Sequence, residues 1–275
     1  MSAIMSAKRI VMAGLGVAAG LYLAAAAGLY LMQDRLLLPS TPGTADPRGM
    51  PHPGERVERW QIRGAYAGYV VTPAGAAPRG TVIVYHGNEE SAETKLPLAD
   101  VFAHAGYRVV IAEYPGHGRR AGARTMRAAL AASREALAQT LASWPGEVWL
   151  VGESLGAGMA ARVVQGNEHA LAGVALITPW DTLASVAHEQ YPAFPVRWML
   201  HDPFDSVAAT AAYRGPLVII GSQRDTLIPV AHAERLARAH PGSRLMLLPE
   251  ANHDSWFDAM TAPRWQQVLH WLGAA

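Results

Sequence analysis

Two periods alternate along most of this chain. Short runs of β-branched and aromatic residues, suited to buried strands, recur between longer segments whose apolar positions return every three or four residues, as a helix requires. Val57 to Arg63 and Tyr66 to Thr72, parted by Gly64, read as an opening antiparallel pair. The strand TVIVYHG from Thr81 then leads to a helix from about Thr94 to His104, and the strand YRVVIAEY from Tyr107 to a helix from Arg124 to Ser143. Met126, Leu130, Leu137 and Leu141 share one face of the latter. A strand from Val148 precedes a helix after Ser154; LAGVALITP, ending at Pro179, and PLVIIGS, ending at Ser222, are further strands. A helix from Val230 to Ala239, the strand SRLMLLPE and a helix from about Ser255 to Leu272 complete the series. Such alternation implies an α/β fold, a mostly parallel sheet with helices on both faces and right-handed crossovers. Ligands of such sheets bind beyond the carboxyl ends of the strands.

The N-terminal pattern is different. Ile10 to Met32 carries no charged residue and as a helix would reach about 35 Å, enough to cross a hydrocarbon core roughly 30 Å thick. This predicts a transmembrane anchor at 10–32 behind a short tail at 1–9. The alternative is a cleaved signal, with Ala24 to Ala27 as a small-residue cleavage site, although signal peptides have apolar regions of roughly 7 to 15 residues. Lys8 and Arg9 before the span favour a cytoplasmic N-terminus and an exported body; Arg35 and Arg48 after it nearly balance them. Residues 33–56, with Leu36 to Leu38 resting at the membrane interface and a proline- and glycine-rich tract beyond, read as a foot and linker. The body is expected at 57–275, with a small lid at about 180–215.

Composition removes several function classes. Of 275 residues, 51% are hydrophobic, which allows a large core, and the net charge of +1 with scattered arginines gives no electrostatic footprint for nucleic acid. Cysteine is absent, so neither a disulfide framework nor a thiolate metal site is available. No cluster of residues calls for a metal or an organic cofactor.

The chemistry concentrates at strand ends. In VWLVGESLGAG, Ser154 lies between Gly152 and Gly156 at a strand-to-helix junction. A serine there sits on a tight, strained turn with its hydroxyl clear of the sheet, and a side chain two positions to either side would collide with backbone. A plain N-cap serine in a Gly-rich turn is the alternative. A nucleophilic serine needs an imidazole to take its proton and a carboxylate to orient that imidazole. Asp225 follows the strand ending at Ser222 and His253 follows the last strand. Asp181, Asp202 and Asp205 are rivals for the acid. His117 in YPGHGRR is a rival base; His188, His232, His240 and His270 read as surface or helix residues, and Asp254 and Asp258 as helix N-terminal charges. The backbone NH of Leu155, opening the helix, and that of Asn88, after the His86-Gly87 pair, are placed to donate to an oxyanion; a simple turn is the alternative for His86-Gly87.

Together with QDRLLLP after the span, the motifs YHGN, YPGHG, GESLGAG, RDTLIP and NHDSW resemble the α/β-hydrolase superfamily. More narrowly they are similar to its membrane-anchored, small-lidded branch of depalmitoylase-like and serine-aminopeptidase-like hydrolases. The resemblance covers nearly all of Gln33 to Leu272. It implies the α/β-hydrolase fold, with Ser154 as nucleophile, Asp225 as acid, His253 as base, and Asn88 and Leu155 as oxyanion donors. Glu89 and Glu90 depart from the small residues common at those positions; carboxylates so near the oxyanion loop would disfavour anionic substrates, and the alternative, which we favour, is that they are charges capping the next helix. Glu153 reads either as a supporting residue or as a buried acceptor.

The lid carries Trp180, Tyr191, Phe194, Trp198, Met199 and Phe204, which either cover an acyl pocket or pack the lid down as core. An apolar lid beside a membrane favours a small-molecule or lipid-like ester or thioester, while Arg197 could instead receive a carboxylate. A serine peptidase and a non-catalytic, membrane-tethered binding protein are the alternatives. Oligomeric state is not encoded in any pattern we recognise.

Overall fold

The computed structural model describes residues 2–39, 43, 55–75 and 77–274, with side chains from residue 8 onward. Helix α1, Ser2–Leu37, is followed by a body whose strands β1 (Glu55–Ile62), β2 (Ala65–Pro73), β3 (Thr81–Tyr85) and β4 (Arg108–Ala112) form half of the sheet. A 3-10 turn, Ala92–Lys95, and α2 (Leu96–His104) connect β3 to β4, and α3 (Met126–Ser143) leads into β5 (Val148–Glu153). Then come α4 (Leu155–Val164), β6 (Gly173–Ile177), three short helices α5 (Leu183–Gln190), α6 (Val196–Met199) and α7 (Ser206–Thr210), β7 (Leu217–Ser222), α8 (Ala231–Ala239), β8 (Arg244–Leu248) and α9 (Ala262–Trp271).

The eight strands lie in the order β1-β2-β4-β3-β5-β6-β7-β8. β1 and β2 pair antiparallel, as do β2 and β4, while every pairing from β4 through β3 to β8 is parallel. Side chains alternate across this sheet. Ile83, Tyr85, Val148 and Leu150 join a core with α3, α4 and α8; Val82, Val84, Trp149 and Val151 join another with α2 and α9. Burial on both faces explains why the central strands read as continuous apolar runs. The spaced leucines of α3 do face inward: Met126, Leu130 and Leu137 are buried, and Thr125 caps the helix by accepting from the Ala128 NH at 3.1 Å.

Helix α1 is longer than the apolar stretch and stays helical to Leu37, so the residues expected as a foot, Gln33 to Leu37, continue that helix. The remaining linker falls largely at 40–42 and 44–54, outside the described residues. The last helix begins at Ala262, not near Ser255. Pro263 fits the first turn of a helix, where no NH is required, and Asn252 holds 252–255 in a turn by accepting from the NH groups of Asp254 and Ser255. Asp254 and Asp258 are therefore not helix N-terminal charges.

Candidate active site

β5 ends in a turn that only small neighbours permit. Ser154 has φ 53° and ψ −115°, a left-handed conformation that costs a side-chain-bearing residue about 1 to 3 kcal/mol. A Cβ on Gly152 would stand 2.1 Å from the Gly156 carbonyl oxygen, and one on Gly156 would stand 2.0 Å from that of Tyr85. The flanking glycines thus let the first turn of α4 lie directly on the end of β3. Although Ser154 occupies the N-cap position of α4, its hydroxyl makes no capping bond.

That hydroxyl meets His253 instead. His253 Nε2 lies 3.0 Å from Ser154 Oγ, and His253 Nδ1 lies 2.7 Å from Asp225 Oδ2. The other Asp225 oxygen accepts the Leu227 and Ile228 NH groups at 2.9 and 2.8 Å, so this buried carboxylate is fixed by its own turn. Burial lowers the His253 pKa, but the hydrogen bond and charge of Asp225 outweigh it and hold the imidazole above its ordinary value. Three side chains predicted from strand ends are brought together.

Two of the rival acids are engaged elsewhere. Asp205 caps α7 by accepting from the Ala208 NH. Asp181 accepts from Thr182 NH, His232 and Arg235, with His232 also 3.1 Å from Glu189 on α5. Burial raises the Asp181 carboxyl, yet these donors outweigh it and leave its pKa well below the usual carboxylate range. His232 and His240 belong to α8 or its end, but both are buried rather than at the surface. His117 is also buried, beside His86 and Tyr114; burial, helped by the nearby His86, holds its pKa low.

Leu155 is the first residue of α4, where an NH has no intrahelical acceptor. Asn88 lies in the turn after β3, half-buried, two residues past the backbone that Gly156 touches. The preceding His86 is wholly buried and paired to Glu113 at 2.7 Å, and the Gly87 NH donates to Glu90 Oε2 at 2.7 Å. Glu90 therefore folds back onto its own loop instead of capping the next helix, which corrects the expectation; Glu89 is exposed.

A residue the sequence did not single out joins these loops. Lys95 is buried with its Nζ 2.5 Å from Glu90 Oε1 and in contact with Glu153 Oε2, while Glu153 Oε1 accepts from Trp256 Nε1 at 2.7 Å. One ammonium thus ties the loop after β3, the residue before Ser154 and the segment after His253. Burial opposes the charge of Lys95, but Glu153 and then Glu90 carry its pKa above the ordinary value. With two acids sharing one base, burial and the second carboxylate raise Glu153 against the pull of Lys95. No sequence pattern marks a lysine in a 3-10 turn as buried; the adjacent Glu89-Glu90 and Glu153, unusual near an apolar strand end, were the available signal.

Comparison with known proteins agrees with this architecture. A model of the serine aminopeptidase S33 family matches residues 76–201, a stretch that includes Ser154 and ends before Asp225 and His253. Two uncharacterized proteins of Mycobacterium tuberculosis strains are each 29% identical over 188 residues, 66% of this chain and 65% of their own length. The match therefore spans just under two thirds of those relatives. Among solved structures, an esterase of Pyrococcus furiosus superposes with a TM-score of 0.67 at 17% identity, covering 86% of this chain and 98% of that one. Est1E of Butyrivibrio proteoclasticus, solved with ferulic acid bound, gives 0.66 at 15% identity over 78% of this chain and 99% of its own. The sheet order, the turn at Ser154 and these likenesses show the α/β-hydrolase fold.

Proposed function

We propose that this protein is a serine hydrolase that cleaves carboxylic ester or thioester bonds through a covalent acyl-enzyme. The observation that carries the reading is the continuous relay from Ser154 Oγ to His253 Nε2 at 3.0 Å and from His253 Nδ1 to Asp225 at 2.7 Å. With Nδ1–H donated to Asp225, Nε2 is free to accept the serine proton as Oγ attacks the acyl carbon. The carbonyl oxygen takes the negative charge, and the NH groups of Leu155 and Asn88 receive it; one such donor is worth about 3 to 4 kcal/mol of barrier. The imidazolium then protonates the leaving alcohol or thiol. Water enters, His253 removes its proton, and the second tetrahedral species releases the carboxylic acid and restores the serine.

A peptidase reading is favoured by one finding, the match to the serine aminopeptidase family. The two readings share their first steps and differ in the leaving group. A fluorophosphonate probe should label the wild type and not Ser154→Ala; an unlabelled, folded wild type removes catalysis altogether. Nitrophenyl esters should then be hydrolysed faster than aminoacyl anilides, and turnover of the anilides alone would reverse the ranking.

The body is held at a membrane by α1, whose apolar segment has a mean hydropathy of 2.0. Lys8 and Arg9 ahead of it favour an exported body. Protease should reach the body without opening of the inner membrane, and protection until that membrane is opened would reverse this orientation.

A further inference from the structure

The apolar stretch of α1 does not stand apart from the body. The segment between α5 and β7 packs along it. The Tyr22 ring stacks on Phe194 with centroids 5.1 Å apart and planes within 8°, and its hydroxyl donates to the Ala193 carbonyl at 2.9 Å. Further along, Tyr30 meets His201 edge-on at 4.6 Å. Gln33 donates to the Met199 carbonyl at 3.0 Å and accepts from the His201 NH at 2.8 Å. The contact thus runs from Tyr22 to Gln33, about 16 Å of helix at 1.5 Å per residue.

This length sets the depth of the lid. A core about 30 Å thick takes roughly 20 helical residues, which counted from Ile10 ends near Leu29. Tyr22 then lies about 10 Å on the hydrocarbon side of that boundary, and Phe194, stacked on it, shares its level. Interfacial elements settle about 5 to 10 Å into the boundary between headgroups and acyl chains. We infer that residues 191–199 of the lid lie within the interfacial layer of the bilayer that α1 crosses, so that lid and anchor form one lipid-facing unit. The inference rests on α1 being a span, not on the hydrolytic chemistry.

The surface of this unit fits a lipid partner. Trp198 is 83% exposed and Tyr191 41%, and on α1 Leu31 is 76% and Leu36 49% exposed. Aromatic side chains with one apolar and one polar end gather at membrane interfaces. Arg197, exposed next to Trp198, is long enough to send its guanidinium outward to the phosphates while its stem lies in the apolar layer. The cleft between lid and anchor is lined by Leu29, Leu36, Tyr191, Val196 and Met199, and its polar side chain, Gln33, is spent on the lid backbone. The large apolar side chains of the lid therefore divide. Trp180 and Phe204 are core, Tyr191, Phe194 and Met199 turn toward the anchor, and Trp198 stands exposed.

The absence of cysteine makes the test direct. The full chain carrying a single spin label at Trp198→Cys, Tyr191→Cys, Leu15→Cys or Arg127→Cys is reconstituted in phosphatidylcholine vesicles. Collision with oxygen is compared with collision with a water-soluble nickel chelate. Labels at 191 and 198 should show an oxygen-to-nickel ratio several-fold above that at 127 and approaching that at 15. Values at 191 and 198 equal to that at 127 overturn the inference, as does an aqueous value at 15, because α1 then does not span. Dipolar broadening between labels at 198 would put a second copy of the chain there and overturn it too. Fluorophosphonate labelling of the same variants reports on Ser154 separately, so loss of the catalytic reading is recognised independently.

Discussion

Replacing Lys95 with methionine tests whether one ammonium holds the site together. Lys95 is 6% exposed, and its loss leaves the buried Glu153 and the partly buried Glu90 facing each other with no cation between them. Removing one partner of a buried ion pair costs about 3 to 5 kcal/mol. Here the loss is held near ~3 kcal/mol, because Glu153, already raised by its burial, relieves the charge by taking a proton. For a body of this size that is a fall in Tm of about 6 to 12 °C. Catalysis should fall further. Glu90 holds the Gly87 NH in place, and a loop that no longer aims one oxyanion donor costs on the order of 10²- to 10³-fold in kcat with little change in KM.

The pH dependence has a definite sign. An acid whose pKa is raised in the folded state binds more protons there, so lowering the pH through that pKa favours folding. The stability deficit of Lys95→Met should therefore narrow from pH 8 toward pH 5. Adding Glu153→Gln should recover part of it at pH 8 by removing one uncompensated charge. Differential scanning calorimetry and nitrophenyl ester kinetics measure both. A variant within 2 °C of the wild type and within twofold in kcat would refute the reasoning, as would a deficit that widens on acidification.

Three further outcomes are expected. Asp225→Asn should lower kcat by about 10⁴-fold by favouring the wrong tautomer; in the wild type kcat/KM should rise with pH through a His253 pKa above its ordinary value, because the protonated ring cannot accept the serine proton, and the variant should shift that limb down. Gly156→Ala should prevent the site from assembling, since its Cβ would stand 2.0 Å from the Tyr85 carbonyl oxygen, with loss of more than about 3 kcal/mol in urea denaturation; a soluble, fully stable variant contradicts the packing. Asp181→Ala leaves His232 and Arg235 with Glu189 as their one remaining carboxylate and should cost about 2 to 3 kcal/mol at pH 7. Because the Asp181 pKa is depressed by folding, that difference should be whole above about pH 4 and shrink below it.

Much of the fold was legible because both faces of the central sheet are buried. Val82 to Val84 and Leu217 to Ile220 must be apolar throughout, and glycine and proline punctuate the loops between them. The candidate site was legible for a related reason: a parallel sheet brings the ends of successive strands to one rim, so residues just after β5, β7 and β8 had to become neighbours. Where local signals were weak, the reading failed. The helix expected from about Ser255 begins only at Ala262, because Asn252 holds a turn at 252–255 that no apolar period reveals.

The chain's own pattern of apolar and polar positions determined the α/β alternation, the long apolar helix and the convergence of Ser154, Asp225 and His253, since each follows from local periodicity and the direction of parallel strands. Only the tertiary structure decided that Lys95 sits between the carboxylates of Glu90 and Glu153, that Glu90 turns back onto its own loop, and that Tyr191 and Phe194 of the lid meet α1. Those contacts join segments far apart in sequence, such as Lys95 with Glu153 and Tyr22 with Phe194. Their partners are chosen by where each crossover deposits its side chains, and no local period records that choice.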